Sequence, residues 1–154
     1  MSIPLVYVAG PFNAPTALGR ELNILRAQYH GLRVLAAGGF PVVPHLATGP
    51  YFGAQSESFF LEGTMRLMLR CDELFLTPGW ESSAGAVKEK AYWEDARPHI
   101  PALTEDNLFS KVHNQGGEPP SPTNFIASAR MELRVRIELT ELRLSAEIYK
   151  ARNP

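Results

Sequence analysis

The sequence predicts an α/β chain: a Rossmann-like, open parallel sheet of four to five strands flanked by helices, with a C-terminal helical tail. Three observations predict it. Residues 3–9 (IPLVYVA) form a nearly continuous apolar run ending at Gly10-Pro11, the pattern of a strand buried on both faces. A stripe of leucines at helical spacing follows this run. Further apolar runs are then separated by helix-like segments, and such alternation folds as a right-handed parallel sheet with its ligand crevice at the carboxyl ends of the strands.

The first helix is carried by Leu18, Leu22, Leu25, Tyr29, Leu32 and Leu35, between Pro15 and a Gly38-Gly39 pair suited to a C-cap. Residues 40–46 (FPVVPHL) read as a second strand that Pro44 stops near His45. A Gly/Ser-rich loop is expected over 47–58. Phe60 to Arg70 reads as the second helix, capped by Ser56 or Ser58, and Leu74-Phe75-Leu76 as the third strand. Beyond Pro78-Gly79, a third helix is expected over 83–96 and a fourth strand over 99–103 (HIPAL). Residues 10–13, 45–54 and 78–85 should then surround one crevice.

The organisation expected is a domain over 1–113, a linker over 114–124 (NQGGEPPSPTN) and a tail over 125–154. Leu133, Val135, Ile137 and Leu139 alternate as in a strand, but the stretch is rich in Glu, Arg, Leu and Ala and has no breaker, so a helix is expected. Its apolar residues fall on two sides of a helical wheel. That suits a helix packed between its own domain and a neighbouring subunit, and a homo-oligomer is expected.

Composition narrows the function classes. The 154 residues are the size of one domain, with 45% hydrophobic and 20% charged residues and a net charge of −1. Arg130, Arg134, Arg136 and Arg143 alternate with Glu132, Glu138 and Glu141, so no basic stripe forms and a nucleic-acid polymer is not an expected partner. Cys71 is the only cysteine and reads as a core filler; His30, His45, His99 and His113 do not approach metal-ligand spacing. Neither a metal nor a cofactor is expected. The short apolar start, interrupted by Pro4, is neither a signal peptide nor a membrane span, so no membrane partner and a cytoplasmic location are expected.

The chemistry concentrates in Thr77 to Trp93, TPGWESSAGAVKEKAYW. Gly79, Ser82, Ser83 and Gly85 lie at a strand-to-helix turn, where free backbone N–H groups and the helix macrodipole suit a phosphate or carboxylate. Ser82 or Ser83 as a plain N-cap is the alternative. Glu89 shares a helical face with Gly85, Ala86, Trp93 and Ala96, an unusual setting for a carboxylate; a solvated surface charge is the alternative.

Four segments carry a resemblance: Tyr7-Val8-Ala9-Gly10-Pro11-Phe12, Pro44-His45-Leu46, Cys71-Asp72-Glu73-Leu74, and Gly79 to Glu89 (GWESSAGAVKE). In this order and spacing they resemble the nucleoside 2-deoxyribosyltransferase-like superfamily, over residues 4 to 103. The likeness is greatest to its small phage and bacterial members, which are related to the 2′-deoxynucleoside 5′-phosphate N-hydrolases.

The resemblance implies cleavage or transfer at the N-glycosidic bond of a deoxynucleoside or its 5′-monophosphate, a small-molecule substrate. Glu89, six residues after Ser83 with Gly85 between, matches the family nucleophile, and a carboxylate there can trap an oxocarbenium-like centre. The nearby helix start is expected to keep Glu89 ionised. Ser83 stands where the transferases usually carry Asp and the N-hydrolases carry a phosphate-binding Ser. Gly85 joins it there, and Tyr7, Gly10, Pro11 and Phe12 are implied to line the substrate, although Tyr7 also reads as a core strand residue. One departure concerns the Asp that many relatives carry eight residues before Asp72, which is Thr64 in this chain. Glu81, Glu62 and His45 are the remaining candidates for the general acid. A nucleotide-binding module of the same fold, without turnover, is the alternative.

Overall fold

Three parallel strands make the sheet, β1 (Leu5–Ala9), β2 (Phe40–Val42) and β3 (Glu73–Leu76), in the order β2-β1-β3. Around them lie α1 (Ala17–Ala37), α2 (Pro44–Thr48), α3 (Glu57–Met68), α4 (Ala84–Ala96), α5 (Leu108–Asn114) and α6 (Asn124–Arg152). The computed structural model of the chain describes residues 3–114 and 124–153, with backbone alone for 113, 114 and 124–126. The expected linker falls mainly on residues 115–123, outside the described residues.

Both faces of the sheet are buried along Val6–Ala9 of β1 and along β3, and strand alternation sorts the side chains between them. Val6, Val8 and Phe75 pack with Val34 of α1 and with Leu108 and Val112 of α5. Tyr7, Ala9, Leu74 and Leu76 face the other way, onto Met68 of α3, Cys71 and Trp93 of α4. Parallel pairing sets Tyr7 opposite Leu74 and Val42. A one-residue slip would exchange the faces, so this register decides which helices Tyr7 meets.

Local chemistry sets the helix ends. Thr16 caps α1 by accepting from the Gly19 amide at 3.0 Å, and Gly38 closes it at φ 94, in the left-handed region glycine enters without strain. Ser56 caps α3, accepting from the Phe59 amide at 3.2 Å. The junction of α3, β3 and α4 is tied by polar contacts. The Leu5 amide donates to Asp72 Oδ2 at 2.7 Å, and the Arg97 guanidinium donates to the carbonyls of Cys71 (2.7 Å) and Leu69 (2.5 Å). Fully buried Trp93 donates its indole N–H to the Ile100 carbonyl at 2.7 Å.

The expected sheet of four to five strands is corrected to three among the described residues. The segment expected as a fourth strand contributes one parallel bridge, in which the Leu103 amide donates to Leu74 (2.7 Å) and the Leu76 amide to Leu103 (2.9 Å). Pro98 and Pro101 lack the N–H groups a longer ladder needs. The second strand likewise ends at Val42, because Pro44 occupies the first turn of α2, where its missing N–H costs nothing. The expected loop over 47–58 contains the end of α2, a 3-10 turn at Gly49–Tyr51 and the start of α3.

The tail is helical, as the composition of 125–150 leads one to expect. It runs antiparallel along α1: Arg26 pairs with Glu141 at 2.6 Å, Arg130 donates to the Tyr29 hydroxyl at 3.3 Å, and Leu133 and Thr140 are buried. No helix among the described residues is long and apolar enough to cross a membrane.

Candidate functional site

Tyr7 and Glu89 meet in the interior. The Tyr7 hydroxyl donates to Glu89 Oε1 at 2.5 Å, with Tyr7 fully buried and Glu89 only 7% exposed. Ala86, Glu89 and Trp93 form the buried face of α4, so helical spacing alone turns this carboxylate inward. Thr64, on α3, lies beside both groups, and its hydroxyl lowers the pKa of each. The Thr64 hydroxyl also lies 3.1 Å from the Leu61 carbonyl, an alternative acceptor for its single proton.

Burial pushes the Glu89 carboxyl up from 4.5 to about 7, against the opposing hydrogen bonds from Tyr7 and Thr64. The expectation that the nearby helix start keeps Glu89 ionised is met only in part at neutral pH. Glu89 lies beyond the first turn of α4, where the macrodipole has largely faded, and lost hydration outweighs it. Burial, followed by the Glu89 charge, raises the Tyr7 phenol well above its ordinary value, so it remains a donor.

At the carboxyl end of β1, Gly10 packs against buried Thr77. A Cβ on Gly10 would stand 2.1 Å from Thr77 Oγ1 and 3.3 Å from Thr77 Cβ, so only glycine fits. His45 Nε2 carries a proton shared between the carbonyls of Gly10 (3.1 Å) and Pro11 (3.0 Å). Burial lowers the His45 pKa and keeps the ring neutral. Phe12 packs edge-on to His45, with ring centroids 5.7 Å apart, and touches Phe52, over which the Arg20 guanidinium lies at 4.1 Å. Asn23 donates to the carbonyls of Phe12 (3.1 Å) and Asn13 (3.3 Å), and Asn13 donates to Glu57 at 2.8 Å. The loop after β1 is thus held from α1, α2 and α3.

Beyond the carboxyl end of β3, Gly79 adopts φ 83 and leads through a 3-10 turn into α4. Ser83 is the N-cap, accepting from the Ala86 amide at 3.3 Å, while the Ser82 hydroxyl donates back to the Gly79 carbonyl at 2.7 Å. The amides of Ala84 and Gly85, at the first two helical positions, have no intrahelical partner by helix geometry. A Cβ on Gly85 would meet only the Ser83 hydroxyl, at 3.8 Å, which leaves its surroundings open.

Tyr7, Glu89 and Thr64 come together, and Gly10, Pro11 and Phe12 sit on the braced loop that continues β1. Glu62 and Glu81 do not join them: both are exposed and neither bonds to the pair. The His45 Nε2 proton is committed to backbone carbonyls. Cys71 is buried in the core with its thiol pushed up to about 11, chiefly by burial. Thr77, Asn23 and Glu57 were missed from the sequence. Their roles depend on contacts between distant segments, and no local pattern marks them. No group of three metal-binding side chains occurs among the described residues.

Two cavities lie elsewhere. One, of about 380 Å³, sits between Asp72, Arg97, His99 and Lys111 at the amino end of β3; the other, of about 520 Å³, lies between α1 and α6. Neither is lined by Tyr7 or Glu89, and in the first Asp72 and Arg97 already hold backbone groups. The buried polar pair between β1 and α4, rather than cavity size, therefore locates the candidate site.

No curated protein and no solved structure matches the chain. The family described as "Domain of unknown function (DUF4406)" matches residues 4–101, a span that holds all three strands, the braced loop, Thr64 and the Tyr7–Glu89 pair, and the chain belongs to that family.

Proposed function

We propose that this chain breaks the N-glycosidic bond of a deoxynucleoside 5′-monophosphate or a deoxynucleoside, passing the sugar to water or to a second base, with no cofactor. The observation that carries the reading is the buried hydrogen bond of 2.5 Å between Tyr7 and Glu89. Tyr7 holds Oε1, and Oε2 is the oxygen offered to the anomeric carbon. As the carbon–oxygen bond forms, the carbon–nitrogen bond breaks and the base leaves with the electron pair. Attack by water or another base then frees the carboxylate, as in retaining glycosidases.

The resemblance to the nucleoside 2-deoxyribosyltransferase-like superfamily supports this reading through Ser83, Gly85 and Glu89. A pKa near 7 supports it too, because an appreciable fraction of Glu89 is ionised at neutral pH while retaining the nucleophilicity of a less acidic carboxyl. The open helix start at Ala84 and Gly85 suits the substrate's phosphate. Protonation of the departing base falls to solvent, since Thr64 stands where relatives carry an acid.

That substitution favours a second reading, a nucleotide-binding module without turnover. Incubation with each deoxynucleoside monophosphate, followed by chromatography for free base, tests the first. Release by the native chain and none by Glu89→Ala is expected. Equal release by both would reject Glu89 as nucleophile, and calorimetric binding without products would favour the binding module.

A further inference from the structure

We propose that the outer face of α6 is a self-association surface that seats the same face of a second copy in antiparallel orientation. The helix has two apolar faces. Leu133 and Thr140 are buried on the side that meets α1, whereas Met131, Val135, Leu139, Leu142 and Tyr149 are 47 to 69% exposed. At 3.6 residues per turn the second set centres on the order of 160° from the first, and it runs along roughly 27 Å of helix. Five such side chains expose on the order of 500 Å² of apolar surface, the size at which a patch marks an interaction site.

The charges beside this strip point to a second copy. A two-fold interface must be complementary to itself. Antiparallel alignment about the midpoint between Leu139 and Leu142 sets Val135 against Ala146 of the second copy. On one flank it brings Glu132 to the second copy's Lys150, a pair that occurs twice. Neither side chain is used in an ion pair within the described chain. Parallel alignment instead sets Lys150 beside Arg152 of the second copy, and like charges oppose one another. Arg136 and Arg143 lie at the groove between α1 and α6, where Glu21 also lies, and Leu139, Leu142 and Ala146 form the edge of the strip that borders it.

Light scattering on the eluting full chain is expected to give twice its mass of 17.0 kDa. Leu142→Glu, at a position already 67% exposed, should give a monomer with an unchanged circular dichroism spectrum. Glu132→Lys should weaken association about tenfold, since two pairs become repulsive. Adding Lys150→Glu to that variant should restore it, because the charges are exchanged and the pairs re-form. A monomeric native chain would overturn the proposal, as would a dimer unaffected by Leu142→Glu. So would a native chain that stays monomeric and binds a different protein through this face.

Discussion

The Tyr7 hydroxyl reaches Glu89 across 82 positions of sequence, joining the middle of β1 to the inner face of α4 by a hydrogen bond of 2.5 Å. The donor offsets part of the cost of burying the carboxylate, and burial still prevails. Tyr7→Phe removes that donor without changing the shape of the core. The Glu89 pKa should then rise further, by about one to two units for a bond worth about 1.5–3 kcal/mol to a charged group. Carboxyl titration followed by NMR in Tyr7→Phe would show it, and an unmoved Glu89 would mean that the phenol does not stabilise the ionised form.

The same group makes stability depend on pH. The folded pKa of Glu89, about 7, lies above the ordinary 4.5, so its contribution is fully present below 4.5 and is lost as pH rises through 7. The difference amounts to about 3 kcal/mol between these limits. Urea midpoints of the native chain and Glu89→Gln across this range should converge at low pH and diverge above 7, with the native chain losing relative to the variant. Under the proposed mechanism, base release should fall on the acidic side of about 7, where the nucleophile becomes protonated.

Gly10 and Thr77 are coupled by contact. Gly10→Ala should destabilise by about 1–3 kcal/mol, the usual cost of overpacking, because the new Cβ would stand 2.1 Å from Thr77 Oγ1. In a Thr77→Ala background the cost should shrink by at least about 0.5 kcal/mol, a non-additivity expected of residues in contact. Chemical denaturation of the four chains would measure the cycle, and strict additivity would place the strain elsewhere.

Thr64→Asp bears on the missing acid. It introduces a carboxyl beside Glu89 at the position where relatives of the proposed superfamily carry one. If the slow step is departure of the base, release should rise roughly a hundredfold or more, the usual range of general acid catalysis. Glu89 should also titrate higher beside a second carboxylate. No gain, together with unchanged nucleotide binding, would favour the binding module.

The elements with strong local signals were legible in the sequence. The buried run of β1, the leucine spacing of α1 and its Gly38 end, the Leu74–Leu76 strand, and the Ser83 cap of α4 all follow from period and punctuation within a few residues. So did the inward turn of Glu89, through its spacing from Ala86 and Trp93. The number of strands was not, because residues 99–103 have a strand-like composition yet prolines allow them only one bridge. Nor was the protonation of Glu89, which its place near a helix start misjudged and burial decided.

Apolar period and helix punctuation are properties of neighbours along the chain, and these the sequence determined by itself. The partner of Glu89, the brace of Asn23 and His45 on the loop after β1, and the fit of Gly10 to Thr77 were decided by the tertiary structure. Each depends on parallel register and helix packing that bring remote segments within hydrogen-bonding or van der Waals distance, and on the loss of water that follows.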